Sequence, residues 1–127
     1  MKRVLVLWGP VAAWMGVLYG FSAQSSVPGA ASIPDWLTHG AAYALLGLLA
    51  ARALAGGLGA PLAVGKALLA VTIASAYGVS DEYHQSFVPQ RDADPYDVLK
   101  DFGGAALGVL LARELGRRAA GQESEPR

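Results

Sequence analysis

Four long apolar runs decide what this chain can fold into. They cover residues 4–21, 36–54, 62–79 and 98–115, each 18 or 19 residues long. As a helix rising about 1.5 Å per residue, each just crosses a hydrocarbon layer of roughly 30 Å. The fourth is the weakest. Lys100 and Asp101 sit near its start, Arg113 and Glu114 near its end, and the uninterrupted stretch Phe102 to Ala112 is too short alone. Breakers separate the runs: Ser25-Ser26-Val27-Pro28-Gly29, then Gly56-Gly57-Leu58-Gly59-Ala60-Pro61, then Pro89 to Pro95. The expectation is an all-α polytopic membrane protein, one four-helix transmembrane domain over residues 1–115, followed by a polar, disordered tail at 116–127.

Charge placement sets the expected orientation. Lys2 and Arg3 precede the first run, Arg52 and Lys66 flank the second loop, and Arg113, Arg117 and Arg118 follow the fourth run. The first loop carries no Lys or Arg and the third only Arg91. Basic residues mark the cytoplasmic side, so both termini and the second loop are expected inside, in a multi-pass cytoplasmic-membrane protein. Two other readings compete. The first run behind Lys2 and Arg3 resembles a signal peptide cleaved near Gly20-Phe21-Ser22, but it exceeds the ~7–15 residues of such a core. A soluble bundle needs a polar face along every helix, and residues 4–21 show none. Composition agrees: 54% of residues are hydrophobic and 16% charged, against roughly 25% charged in soluble domains. With no cysteine and no net charge, disulfides and thiolate metal sites are excluded, and nucleic acid is not an expected partner.

In that topology the unusual polar residues gather at the extracytoplasmic ends of the second, third and fourth helices. Asp35, His39 and Tyr43, spaced i, i+4, i+8, form one stripe. Asp81, Glu82 and Gln85 lie where the third helix leaves the membrane, and Arg91 and Asp94 follow. Asp97, Asp101, Gly104 and Gly108 share a face of the fourth helix. Ionisable groups at membrane depth are costly and usually face the bundle interior in pairs. Some have structural readings. Ser32-Ile33-Pro34-Asp35 matches a capping box, and Asp94-Pro95 an N-cap followed by a first-turn proline. Gly104 and Gly108 suit close helix packing, within the chain or in self-association. Trp36 and Tyr83 suit an interfacial aromatic belt. Adjacent Asp81 and Glu82 point about 100° apart, so only one is expected to share a cavity with Gln85. His39, about one turn inside, needs a partner wherever it sits. A purely structural account makes the cluster a salt-bridge clasp, with Arg91 pairing Asp81 or Glu82.

The same residues resemble the VanZ-like membrane proteins, a family named for a teicoplanin-resistance factor. That pattern joins Asp-Lys-x-x-His-x-x-x-Tyr, Asp-Glu-x-x-Gln-x-Phe-x-Pro-x-Arg and Asp-x-x-x-Asn-x-x-Gly-x-x-x-Gly. Here the three read from Asp35 to Tyr43, from Asp81 to Arg91 and from Asp97 to Gly108. Trp36 stands where the pattern has lysine and Asp101 where it has asparagine, so this site is more acidic. The resemblance implies an outward-facing site acting on a cell-envelope molecule, with glycopeptide susceptibility as one associated trait.

Three functions follow as expectations. In the first, the site binds or processes an amphipathic, lipid-linked or phosphate-bearing envelope molecule. Arg91 clamps the anion. His39 acts as general acid or base, oriented by Asp35, with Gln85, Asp97, Asp101 and Tyr43 lining the substrate. Asp81, Glu82 and Asp101 offer oxygen ligands suited to a divalent cation such as Mg²⁺ or Ca²⁺. No Ser-x-x-Lys or Gly-x-Ser-x-Gly nucleophile signature is present. In the second, the protein binds or moves membrane lipids, a lipid-linked precursor or a lipoglycopeptide without turnover. In the third, the polar network only holds helix ends together.

Overall fold

The computed structural model describes residues 1–27, 29 and 32–123. Pro28 of the first breaker and residues 124–127 of the tail lie outside the described residues. The chain is all-helical, with α1 Lys2–Ser22, α2 Asp35–Ala55, α3 Val64–Gln85 and α4 Pro95–Glu123. Each apolar run lies within or largely within one helix. α4 continues past the expected tail boundary, so residues 116–123 are helical rather than disordered. Among the described residues, two helices, α1 and α2, are long and apolar enough by themselves to cross a membrane.

Chain ends and loops sort cleanly. The α2–α3 loop lies against both the start and the end of the chain: a side chain at Gly56 would meet the Arg3 guanidinium at 3.2 Å, and one at Gly59 would meet Ala119 at 3.8 Å. The start of α1, that loop and the end of α4 therefore share one end of the bundle. At the other end the last turns of α1 and α3 meet, where Ser22 Oγ lies 3.2 Å from His84 Nδ1 and Tyr19 stacks on the His84 ring at 4.3 Å.

The tightest packing joins α2 and α4, which run parallel. Gly40, Ala44 and Gly47 of α2 face Gly104, Gly108 and Ala105 of α4 with backbone against backbone. A Cβ on Gly104 would collide with the Gly40 carbonyl oxygen, and one on Gly108 with that of Ala44. The expected small-residue stripe is thus an intramolecular seam. Buried Leu46, Ala50 and Ala51 extend it, and Ala70, Ala74 and Ala105 bring in α3.

Pro10 interrupts α1. Lacking an N–H, it leaves the Val6 carbonyl without its helical partner. Arg52, at the end of α2, fills the gap by donating from Nη1 to the carbonyls of Val6 at 3.2 Å and Leu7 at 3.3 Å. Farther along, Trp14 Nε1 donates to Ala42 O at 2.9 Å and the Tyr77 hydroxyl to Met15 O at 2.6 Å. α1 is thereby tied to α2 and α3 through side chains, not through a small-residue seam.

The outward surface is strongly apolar on every helix. Leu5, Val17 and Phe21 of α1, Leu37 and Leu45 of α2, Leu68 and Val79 of α3, and Leu99, Leu107 and Leu110 of α4 are all exposed. Such a girdle is far larger than the scattered apolar residues of a soluble monomer.

Candidate functional site

The polar residues do converge, at the end of the bundle opposite the α2–α3 loop. α2 begins directly at Asp35, with Pro34 before it and no side-chain cap. The expected Ser32 capping box is not formed: Ser32 Oγ donates to Gly29 O at 2.8 Å instead. Asp35 is therefore free of the backbone and reaches across to Lys100 of α4, which also bonds Asp97 Oδ1 at 2.5 Å. The Asp94 cap does form, its Oδ1 accepting from Tyr96 N at 2.9 Å. Lys100 was legible only as a charge weakening the fourth run. Its i+3 spacing from Asp97 is the signal that would have placed it with the acidic residues. It supplies, from α4, a cation beside Asp35, where the family pattern has one at position 36.

His39 sits at the centre. Its Nδ1 lies 2.8 Å from Asp101 Oδ1, and its Nε2 faces Asp35 Oδ1 at 3.5 Å and Asp97 Oδ2 at 3.6 Å. The expectation that Asp35 orients the ring is corrected here. Asp101 holds it, because the glycine seam brings α4 against α2 one turn deeper. Asp101 is 1% exposed, and Gly78 makes the room: a side chain there would meet Asp101 Oδ2 at 3.0 Å and Tyr43 at 3.3 Å. Tyr43 is buried beside Tyr77, with ring centroids 6.5 Å apart.

α3 supplies two buried carboxylates that face different ways. Asp81 Oδ2 accepts from Gln85 Nε2 at 3.3 Å, and both residues line a cavity. Glu82 turns toward α4, where its Oε2 accepts from Asp94 N at 3.0 Å. Asp81 Oδ1, Glu82 Oε1 and the Tyr43 hydroxyl are buried with no hydrogen-bond partner among the described residues.

Arg91 does not pair with Asp81 or Glu82. Val88-Pro89-Gln90-Arg91 forms a turn closed by Arg91 N to Val88 O at 3.2 Å, with proline second and Gln90 third at φ 63°. That is the type II pattern, in which the third residue must take a positive φ. The turn aims Arg91 back over the site, where it donates to Gln85 Oε1 and to Gln24 O, both at 3.2 Å. Among the described residues no carboxylate lies within 4.0 Å of it.

These groups border a cavity of about 1140 Å³ between α1, α2, α3 and the first and third loops. One wall is apolar, from Trp14, Leu18, Phe21 and Leu45; the other carries His39, Asp81, Gln85, Arg91 and Asp97. The α1 residues of the apolar wall carried no periodic signal in an unbroken hydrophobic run, so the sequence did not mark them as site residues.

Residues 7–116 match the VanZ/LLP1 protein family. The chain belongs to that family. The matched span takes in α2 and α3 whole, most of α1 and α4, and every residue of the site. No curated protein and no solved structure shows significant similarity to the chain.

Proposed function

We propose that this VanZ-like protein spans the cytoplasmic membrane four times, both ends inside, and binds an amphipathic cell-envelope molecule in the extracytoplasmic cavity. The observation that carries the reading is the two-sided cavity itself. It offers a tail-sized apolar wall on α1 and a polar wall holding Arg91, which has no carboxylate within 4.0 Å among the described residues. Arg91 suits a phosphate or carboxylate headgroup, which a guanidinium takes in two parallel bonds. Lys100 offsets Asp35 and Asp97, which lowers the repulsion an anion would meet. His39 is placed to exchange a proton with a bound headgroup, since it lines the cavity while Asp101 fixes its ring.

The apolar outer surface supports four spans. α3 and α4 fall short on average hydropathy because α3 carries Lys66, Asp81 and Glu82, and α4 carries Asp97, Lys100, Asp101, Arg113 and Glu114. Exposed Trp36, Tyr83, Phe87 and Tyr96 ring the site end, as interfacial aromatics do. Basic residues crowd the opposite end, which supports its placement inside. The family adds lipid-tailed glycopeptides such as teicoplanin, or the precursors they target, to the envelope molecules to be tried. A second reading has one observation in its favour: the Asp35–Lys100–Asp97 bridge ties α2 to α4, so those residues serve as a clasp while the cavity binds.

Native mass spectrometry of protein extracted from its own membranes tests the proposal, beside Arg91→Ala and His39→Ala variants. The expected result is a defined envelope lipid retained by the wild type and lost from folded Arg91→Ala. An identical generic phospholipid profile in all three proteins overturns it.

A further inference from the structure

We infer that His39, Glu82 and Asp101 bind a divalent first-row transition-metal ion, with Asp81 and the Tyr43 hydroxyl beside it. One ligand atom from each of the three residues lies within 4.8 Å of the other two. At metal–ligand distances of about 2.1 Å, neighbouring ligands stand roughly 3 Å apart and opposed ones roughly 4 Å. The 2.8 Å from His39 Nδ1 to Asp101 Oδ1 fits the first arrangement. A Glu82 oxygen lies within the same 4.8 Å limit of both.

An acidic cluster alone would say little; the unpartnered atoms say more. Glu82 is anchored by one oxygen to Asp94 N, and its other oxygen is buried without a partner. Asp81 repeats this, with one oxygen toward Gln85 and the other unpartnered. The Tyr43 hydroxyl, 2% exposed as a residue, also lacks a partner and lies in the field of Asp101, Asp81 and Glu82. Unpaired buried carboxylate oxygens are costly, and Glu82, one of the two residues that carry them, groups with His39 of α2 and Asp101 of α4. Nearby cations are committed elsewhere: Lys100 holds Asp35 and Asp97, and Arg91 holds Gln85 and Gln24.

The far side of the imidazole fits the same inference. A histidine that ligates through one nitrogen usually donates its other N–H to a carboxylate. With a metal on Nδ1, the His39 Nε2–H faces Asp35 and Asp97 at 3.5 and 3.6 Å. The mixed donor set, an imidazole nitrogen among carboxylate oxygens, favours an ion of the Mn²⁺, Fe²⁺ or Zn²⁺ kind over Mg²⁺ or Ca²⁺. This moves the metal site expected from sequence: His39 joins Glu82 and Asp101 as ligand, and Asp81 stands beside them. The inference does not depend on which amphiphile the cavity takes.

Mn²⁺ alone serves as the probe. Full-length protein, stripped with EDTA in detergent, is titrated while electron paramagnetic resonance follows free Mn²⁺. The expected result is saturable uptake of one ion per chain, weakened at least ~10-fold in Glu82→Gln and Asp101→Asn. Asp92→Asn, an acidic cavity residue outside the set, should stay within about twofold of wild type. Pulsed measurements on wild-type protein should show nitrogen coupling from one imidazole, a readout that needs no variant to fold. No uptake by the wild type overturns the inference, as does uptake without nitrogen coupling, or uptake unchanged in folded Glu82→Gln and Asp101→Asn.

Discussion

Gly103 and Gly104 are neighbours on α4, yet replacing each with alanine should move stability in opposite directions. A Cβ on Gly103 meets nothing within 4 Å. Gly103→Ala therefore gains helix propensity, worth about 0.5–1 kcal/mol. A Cβ on Gly104 would collide with the Gly40 carbonyl oxygen and stand 2.9 Å from Gly40 Cα. Comfortable carbon–carbon contact is about 3.5–4.0 Å, so the α2–α4 pair must part by roughly 0.5–1 Å. Overpacking of this kind costs about 1–3 kcal/mol. The same parting stretches the 2.8 Å bond between His39 and Asp101, which bridges the same two helices. A hydrogen bond to a charged group contributes about 1.5–3 kcal/mol. Together the Gly104→Ala loss should be about 3–5 kcal/mol. Thermal unfolding of both variants in one detergent, followed by circular dichroism, gives the comparison. Gly104→Ala melting at or above wild type would refute the seam as the element that sets the His39–Asp101 distance.

Arg52→Ala strips the Val6 carbonyl of its partner and should cost about 1–3 kcal/mol. In a Pro10→Ala background, the restored N–H at position 10 takes that carbonyl and the Arg52 penalty should largely vanish; additive losses in a double-mutant cycle would contradict this. Because the chain has no cysteine, Leu58→Cys and Val88→Cys report orientation directly. An impermeant thiol reagent applied to whole cells should label position 88 and not 58, and the reverse pattern would invert the proposed topology.

Much of the fold was legible because its signals are local. Apolar length marks the helices, and the Gly104–Gly108 spacing marks the face that packs closely. Asp94-Pro95 gave the start of α4 correctly, since a cap and its proline are adjacent in sequence. Ser32-Ile33-Pro34-Asp35 carried the same kind of signal, yet Asp35 had a stronger partner in Lys100, a residue that local spacing could not place against it. The same limit explains His39. Its i−4 neighbour Asp35 is visible in sequence, whereas Asp101 becomes the nearer partner only through the α2–α4 register. Arg91 was expected to seek charge. The Pro89–Gln90 turn instead points it at an amide and a carbonyl. The extension of α4 through residues 116–123 had no apolar pattern to reveal it.

The glycine seam also fixes which part of the protein can move. Helices joined backbone to backbone act as a single rigid strut, since neither can slide without its carbonyls striking the other's Cα atoms. Trp14, Tyr77 and Arg52 fasten α1 by rotatable side chains, which can swing and re-form. The cavity is then a vice with one fixed jaw, carrying His39, Asp97 and Asp101, and one sprung jaw, carrying Trp14, Leu18 and Phe21. On the proposed function, guests of different tail bulk would be gripped by displacing α1 alone, while the geometry around the imidazole stays constant.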